Sequence, residues 1–215
     1  MGVVSDTRSA KDDPAISVRL LRESDRAAAG ELIAAAFPDK MRHMLPHETG
    51  AAAAIMRDLI VPGPNTWVAE IDGGIAGIMM VKDHGVPSTG KVQWGVLRRH
   101  LGLWRGLRAY AFCAIVYTAS LPDDRMYIDT LAVHPDREGR GVAGELLRCA
   151  IAEAGRRRHA GVTLYVVAGN DRARAIYERA GFRRLRTLHL WWCAWLIGFR
   201  DTEYMELKLR PANPS

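Results

Sequence analysis

The stretch from Met126 to Phe182 constrains this 215-residue chain more than any other. A run of β-formers, Arg125 to Val133, leads to the loop Glu138-Gly139-Arg140-Gly141-Val142-Ala143-Gly144. Helical spacing begins inside that loop, because Val142, Ala143, Leu146, Leu147, Ala150, Ile151 and Ala154 share one face. The short apolar run Val162 to Val167 then reads as a buried strand. Strand, crossover helix, strand predicts a parallel pair with a right-handed connection. Strict alternation puts Tyr127, Asp129, Leu131 and Val133 on one face of the first strand. The glycines let the backbone approach a ligand closely. The helix N-terminus adds unpaired N–H groups and positive dipole charge, which together make an anion site. Phosphate is the natural occupant, at the carboxyl ends of the parallel strands.

Several readings of that loop are open on its spacing alone. Gly139-Arg140-Gly141-Val142-Ala143-Gly144 matches the dinucleotide fingerprint G-x-G-x-x-G. That fingerprint wants its first glycine at the strand end, but His134 to Glu138 intervene and Pro135 stops the strand. It also wants an acidic residue about 20 positions on. The nearest candidate, Asp171, comes later and follows Asn170 at a helix start. A P-loop is excluded, since no Gly-Lys-Ser/Thr follows. A tight turn with no ligand is the remaining reading.

A longer ordered set of residues bears on the choice. Leu131-Ala132-Val133-His134-Pro135-Asp136, then Gly139 to Gly144, Asn170, and Tyr177-Glu178-Arg179-Ala180-Gly181-Phe182 resemble the GNAT superfamily of acyl-CoA-dependent N-acetyltransferases. The resemblance covers about a quarter of the chain. It implies an α/β fold with a mixed, twisted sheet flanked by helices, and acetyl-CoA as cofactor. The pyrophosphate motif Arg/Gln-x-x-Gly-x-Gly/Ala falls on Glu138 to Ala143. Gly141 and Ala143 fit, while Glu138 stands where the family has Arg or Gln.

The resemblance also implies roles. Backbone N–H groups of Gly139, Arg140, Gly141, Val142, Ala143 and Gly144 hold the pyrophosphate. Leu131, Ala132 and Val133 align the pantetheine arm, and the Val133 N–H polarises the thioester oxygen. Asn170 contacts the cofactor arm, and Tyr177 protonates the leaving thiolate. Asn170 also suits a helix N-cap, and Tyr177 lies on the apolar face with Ala173, Ile176 and Ala180, where packing alone would explain it. Asp129 is the candidate base, because a carboxylate in an apolar strand is costly without a purpose or a partner. A structural hydrogen bond is the other reading. His43, His47 and Glu48 fall where relatives build the acceptor wall. No metal-ligand spacing is present.

The chain is expected to hold residues 1–15 as a disordered tail, one domain over 16–210, and a short tail over 211–215. An insertion of roughly 84–124 precedes the cofactor strand. There Val96 to Ser120 reads as one or two apolar helices, serving as an acceptor wall, core or dimer packing. Earlier, Ile16 to Leu20 alternates as a strand. Asp25 is placed to cap a helix that Pro38 closes, Ala51 to Ile60 is helical, and Thr66 to Lys82 reads as a hairpin turning at Asp72-Gly73-Gly74. After Phe182 come a strand, Arg184 to Leu190, the run Leu190 to Phe199 with three tryptophans, and a last strand, Glu203 to Leu209. That run is too short to span a bilayer. It suits a core cluster, an acceptor pocket, the face of a homodimer, or a membrane-surface patch.

Thirty Lys and Arg against 24 Asp and Glu give a net charge of +6, which raises nucleic acid as a partner. The arginines are dispersed and carry no nucleic-acid motif, so none is expected. Arg137, Arg140, Arg172 and Arg174 are better placed to draw in a polyanionic cofactor. Cys113, Cys149 and Cys193 share no metal or redox spacing, and no secretory leader is seen, so the cytoplasm is the expected compartment. The expected activity is acetyl transfer from acetyl-CoA to the amine of a small molecule. The alternatives are a dinucleotide-binding oxidoreductase, a non-catalytic CoA-binding module, and a membrane-surface protein.

Overall fold

A computed structural model describes residues 15–45, 49–83, 94–117 and 124–209. The expected tails, His47, Glu48 and parts of the insertion lie outside them. The strands are β1 (Ser17–Leu20), β2 (Thr66–Ile71), β3 (Gly74–Lys82), β4 (Arg125–Val133), β5 (Gly161–Val167), β6 (Arg183–His189) and β7 (Asp201–Lys208). They form one sheet in the order β1-β2-β3-β4-β5-β7-β6. Only β4 and β5 pair in parallel. The helices are α1 (Arg26–Ala36), α2 (Pro38–Met44), α3 (Ala52–Leu59), α4 (Trp94–Tyr117), α5 (Val142–Arg156), α6 (Asp171–Arg179) and α7 (Ala194–Ile197).

The sheet separates two cores. On one face α1, α2, α3, α4 and α7 cover Val68, Ile78, Met80 and Ala132. On the other, Val142, Leu146, Leu147, Ala150 and Ala154 of α5 and Tyr177 of α6 pack on Ala76, Met79, Ile128 and Leu164. The predicted helical face of α5 is thus its buried face. Gly77 sets how closely α5 lies, because a Cβ there would stand 2.6 Å from Val142 Cγ1. That position fixes the height of the glycine loop above the sheet.

Two local expectations, the Asp25 cap and the tryptophan core, give way to competing contacts, and two, the Pro38 stop and the helical insertion, hold with added detail. Asp25 precedes α1, but its carboxylate accepts from the Arg22 N–H (2.7 Å) and Arg19 Nη1 (2.6 Å) rather than capping α1. Pro38 opens α2 as its first residue, a position that tolerates the missing N–H. Gly102, at φ 72°, breaks α4 into arms 94–101 and 103–117 that fold back on each other, with Trp94 edge-on to Tyr110 at 6.0 Å. The tryptophans of the 190–199 run, read first as core, are exposed: Trp191, Trp192 and Trp195 keep 57–77% of their surface. The aliphatic residues between and beside them, Cys193, Leu196 and Ile197, take the buried positions instead.

Candidate active site

The site begins with a failure of strand pairing. β4 and β5 are laddered from Arg125↔Gly161 to Ile128↔Leu164. Both then run on, to Val133 and Val167, without each other. β4 keeps its partner on the far side, since Thr130 to Val133 stay paired with β3. The register skips a residue there: Val81 faces Ile128 and Met80 faces Thr130, leaving Asp129 as the extra residue of a bulge. A bulge bends its strand, and this one stands where β4 leaves β5.

The bulge corrects the alternation read from sequence. Leu131 and Val133 fall on the α5 side with Met126 and Ile128, Ala132 falls on the opposite side, and Tyr127 no longer shares a face with Leu131. Backbone groups alternate too. The His134 N–H goes to the Ala76 carbonyl on the β3 side (2.9 Å). The N–H groups of Val133 and Leu131 therefore point into the gap toward β5.

The gap is the floor of a cleft of about 1900 Å³. Drug-sized ligands occupy pockets of roughly 300–1,000 Å³, so this one has room for a longer molecule and a second reactant. At one end lies the glycine loop. Gly139 (φ 78°) and Gly141 (φ 84°) take the left-handed conformation, and Gly141 is the N-cap of α5 with no side chain capping the helix. The first intrahelical bond is Glu145 N–H to the Gly141 carbonyl (3.1 Å). The N–H groups of Val142, Ala143 and Gly144 precede it and have no helical acceptor. A Cβ at Gly144 would meet nothing within 4 Å. Open space beside orphaned donors is what a pyrophosphate needs, so these residues fit the cofactor implied by the resemblance. Arg140 alone between Arg137 and Gly144 stays off the cleft wall.

Charge around this end is arranged by one ion pair. Glu138 binds the Arg172 guanidinium across the mouth, tying the loop to the start of α6. Arg137, Arg148 and Arg179 also line the wall. Arg174 does not take part, because Asp171 and Glu203 hold it on the β7 side.

The middle of the cleft holds the other candidates. Asn170 caps α6: its Oδ1 accepts the Ala173 N–H at 3.1 Å. Tyr177, one turn and a half along α6, is 9% exposed and packs edge-on to Phe182 at 6.0 Å. Burial pushes its phenol up to about 12, so the hydroxyl stays protonated through neutral pH. No described residue hydrogen-bonds that hydroxyl, and the side chain lines the cleft. Asp129 is almost fully enclosed, with Lys82 Nζ 2.6 Å away and the Thr130 hydroxyl 3.5 Å away. The Lys82 ammonium compensates the buried carboxylate. It also lies 5.7 Å from the centre of the Tyr127 ring.

At the opposite end sequence reasoning named His43 and the 190–199 run but missed the tyrosines. Tyr127, Tyr165 and Tyr204 form an aromatic row across three neighbouring strands, with centroids 6.0 and 5.0 Å apart. Tyr165 and Tyr204 sit at facing positions of β5 and β7, a signal visible only once the two strands are known to pair. Phe37, Leu190, Trp192 and Phe199 continue the wall. His43 joins it from α2, its ring lying over Gly198, where a Cβ would stand 2.5 Å away. Its Nδ1 is 2.9 Å from the Asp39 carbonyl oxygen.

A sequence model of the acetyltransferase (GNAT) family matches residues 28–182. The chain belongs to that family. Its fold is also that of solved GNAT structures of low sequence identity. An N-acetyltransferase from Staphylococcus aureus Mu50 is 16% identical over 89% of this chain and 100% of its own, with a TM-score of 0.64. The ribosomal-protein-S18-alanine N-acetyltransferase from Escherichia coli is 18% identical over 94% and 99% (TM-score 0.54). An acetyltransferase from Salmonella typhimurium, solved with its cofactor acetyl-CoA, is 17% identical over 93% and 97% (TM-score 0.55). No curated protein matches the sequence. The GNAT match spans the bulged β4, the glycine loop, α6 and Phe182, so every cofactor-end element described above lies inside it. Among the described residues there is no cluster of three or more metal-ligating side chains, and no helix is long and apolar enough to cross a membrane.

Proposed function

We propose that this protein transfers an acetyl group from acetyl-CoA to the amine of a small molecule, by direct attack with both reactants bound. One observation carries the reading: the gap opened by the Asp129 bulge runs without interruption into the orphaned N–H groups of the glycine loop. Acetyl-CoA, when bound, supplies the activated acyl carbonyl. The residues do the rest. The backbones of Gly139 to Gly144 hold the pyrophosphate, and Arg172, held by Glu138, adds positive charge beside them. Leu131 and Val133 present a strand edge to the pantetheine amide groups, with Ala132 between them held by β3, and the Val133 N–H stabilises the oxygen where negative charge develops. Asn170 flanks the arm while capping α6. Tyr177 donates its proton to the leaving sulfur, a role that a hydroxyl kept neutral by burial suits.

Asp129, with Lys82 beside it, receives the proton of the attacking ammonium from the floor of the cleft. The acceptor enters at the aromatic end, where Tyr165, Phe37 and Trp192 favour an amine with an apolar body. Three unpaired cysteines, two of them buried, fit a reducing cytoplasm. The test is an amine screen followed by CoA release with a thiol reagent, alongside calorimetry with acetyl-CoA. Micromolar binding together with turnover on an apolar amine supports the reading. Binding with no turnover on any amine favours a non-catalytic CoA-binding module.

A further inference from the structure

We infer that the outer face made by α4 and the 190–197 segment docks on an anionic membrane surface. This goes beyond the acetyl-transfer reading and does not depend on it. The second arm of α4 is apolar on both sides. Gly106, Ala109, Phe112 and Cys113 face the core, and Leu103, Trp104, Leu107, Tyr110 and Ala111 face out. That outer set has the spacing of one continuous helical stripe. Its large members keep 42–77% of their surface, although a stripe of this width on a globular helix ordinarily packs against something. α7 lies against α4, and Trp195 on it, with Trp191 and Trp192 in the turn just before it, repeats the pattern. Four of the six tryptophans of the chain are therefore exposed on two touching elements. Tryptophan at that density with leucine is the composition of interfacial helices.

The charge says which surface. Residues 94–117 contain no Asp or Glu and carry Arg98, Arg99, Arg105 and Arg108. Residues 179–200 contain none either and carry Arg183, Arg184 and Arg200 besides the cleft-lining Arg179 and Arg186. Carboxylates from neighbouring elements take some of the basic groups: Glu203 binds Arg184, Asp58 binds His100 and Asp201 binds His189. Arg98, Arg99, Arg183 and Arg200 have no carboxylate partner among the described residues. A second copy of the chain suits this face poorly, since a two-fold contact would bring both sets of arginines together. Anionic lipid headgroups over an apolar layer match both the tryptophans and the arginines.

The experiment uses the full chain and vesicles of phosphatidylcholine alone or mixed with phosphatidylglycerol. Co-sedimentation is expected on the mixed vesicles only, with a blue shift of tryptophan emission. Partitioning should fall about tenfold or more between low salt and ~0.5 M salt. Trp104→Ser with Trp195→Ser leaves the charge unchanged and should weaken partitioning about tenfold, from the lost apolar burial. Both side chains are exposed, so the thermal midpoint and acetyl-CoA affinity should stay as in the unmodified protein. Absence of binding to the mixed vesicles overturns the inference. So does binding that the double substitution leaves unchanged, which would be diffuse charge adsorption. A stable dimer by analytical ultracentrifugation that the same substitutions dissociate also overturns it, by assigning the face to a second copy.

Discussion

The two ends of the cleft are built on different principles. At the cofactor end the contacts come from the backbone: strand-edge amides, glycines at positive φ and a helix N-terminus. At the proposed acceptor end they come from side chains, Tyr165, Phe37, His43 and Trp192, contributed by three separate stretches of chain. Backbone donors depend little on which side chains surround them, so the first end can serve one ligand across very different sequences. On the proposed function, the second end carries the acceptor selectivity. Substitutions should therefore divide cleanly, with cofactor affinity answering to one end and acceptor preference to the other.

Breaking the reaction without breaking cofactor binding gives the largest effect. Tyr177→Phe should lower kcat by about 10²–10⁴-fold if the hydroxyl is the acid, with acetyl-CoA affinity within a few-fold of the unmodified enzyme. An unchanged kcat would leave Tyr177 as packing. The pH dependence sharpens this. With its folded pKa raised to about 12, the neutral hydroxyl and the stability it contributes are fully present below about pH 10, the ordinary phenol value. Both are lost only as pH rises through about 12. Tyr177 should thus add no basic limb to the rate below pH ~10, and a limb there that Tyr177→Phe abolishes would keep Tyr177 as the acid but contradict its raised pKa.

Gly144→Glu should weaken acetyl-CoA by about a hundredfold, placing a carboxylate at the phosphate cradle; calorimetry reads it. Gly144 is the better site than Gly141, because Gly141 sits at φ 84° and any side chain there strains the loop itself. Gly77→Val tests how the loop is held. Its methyls would collide with Val142 and Leu146, costing about 1–3 kcal/mol in a denaturation series, and displacing α5 should weaken acetyl-CoA as well. Asn170→Ala should cost about 1 kcal/mol of stability through the lost cap. The smallest effect belongs to the other end: Trp192→Ala should change the acceptor KM several-fold and leave acetyl-CoA affinity alone. Equal losses in both would erase the distinction between the ends.

The cofactor end was legible because its signals are local. Three glycines in six residues, a proline closing the strand and an amphipathic helix are all read within one window. Asn170 and Tyr177 follow at a spacing that α6 fixes. The bulge at Asp129 was not legible: it carries no glycine or proline, and only pairing with β3 reveals the extra residue. The same holds for the tyrosine row, which exists because β5 lies beside β7. The tryptophans of 190–197 misled for a physical reason. Burial of such a run is the ordinary outcome, yet a one-turn helix can turn only one side to the core, and Cys193, Leu196 and Ile197 claim it. Glu138 departs from the family pattern, and its partner Arg172 is 34 residues away, which no local reading connects.

The central claim is that the gap between β4 and β5 and the glycine loop form one binding site for acetyl-CoA. Thermal unfolding with acetyl-CoA, CoA, NAD and ATP at matched concentrations tests it most directly, on the unmodified protein and on Gly144→Glu. A ligand specific to the folded state adds about 2.7 kcal/mol at a hundredfold excess over Kd. The account predicts that acetyl-CoA and CoA alone raise the midpoint and that Gly144→Glu removes the shift. A shift with NAD alone, or an acetyl-CoA shift that Gly144→Glu leaves intact, would contradict it.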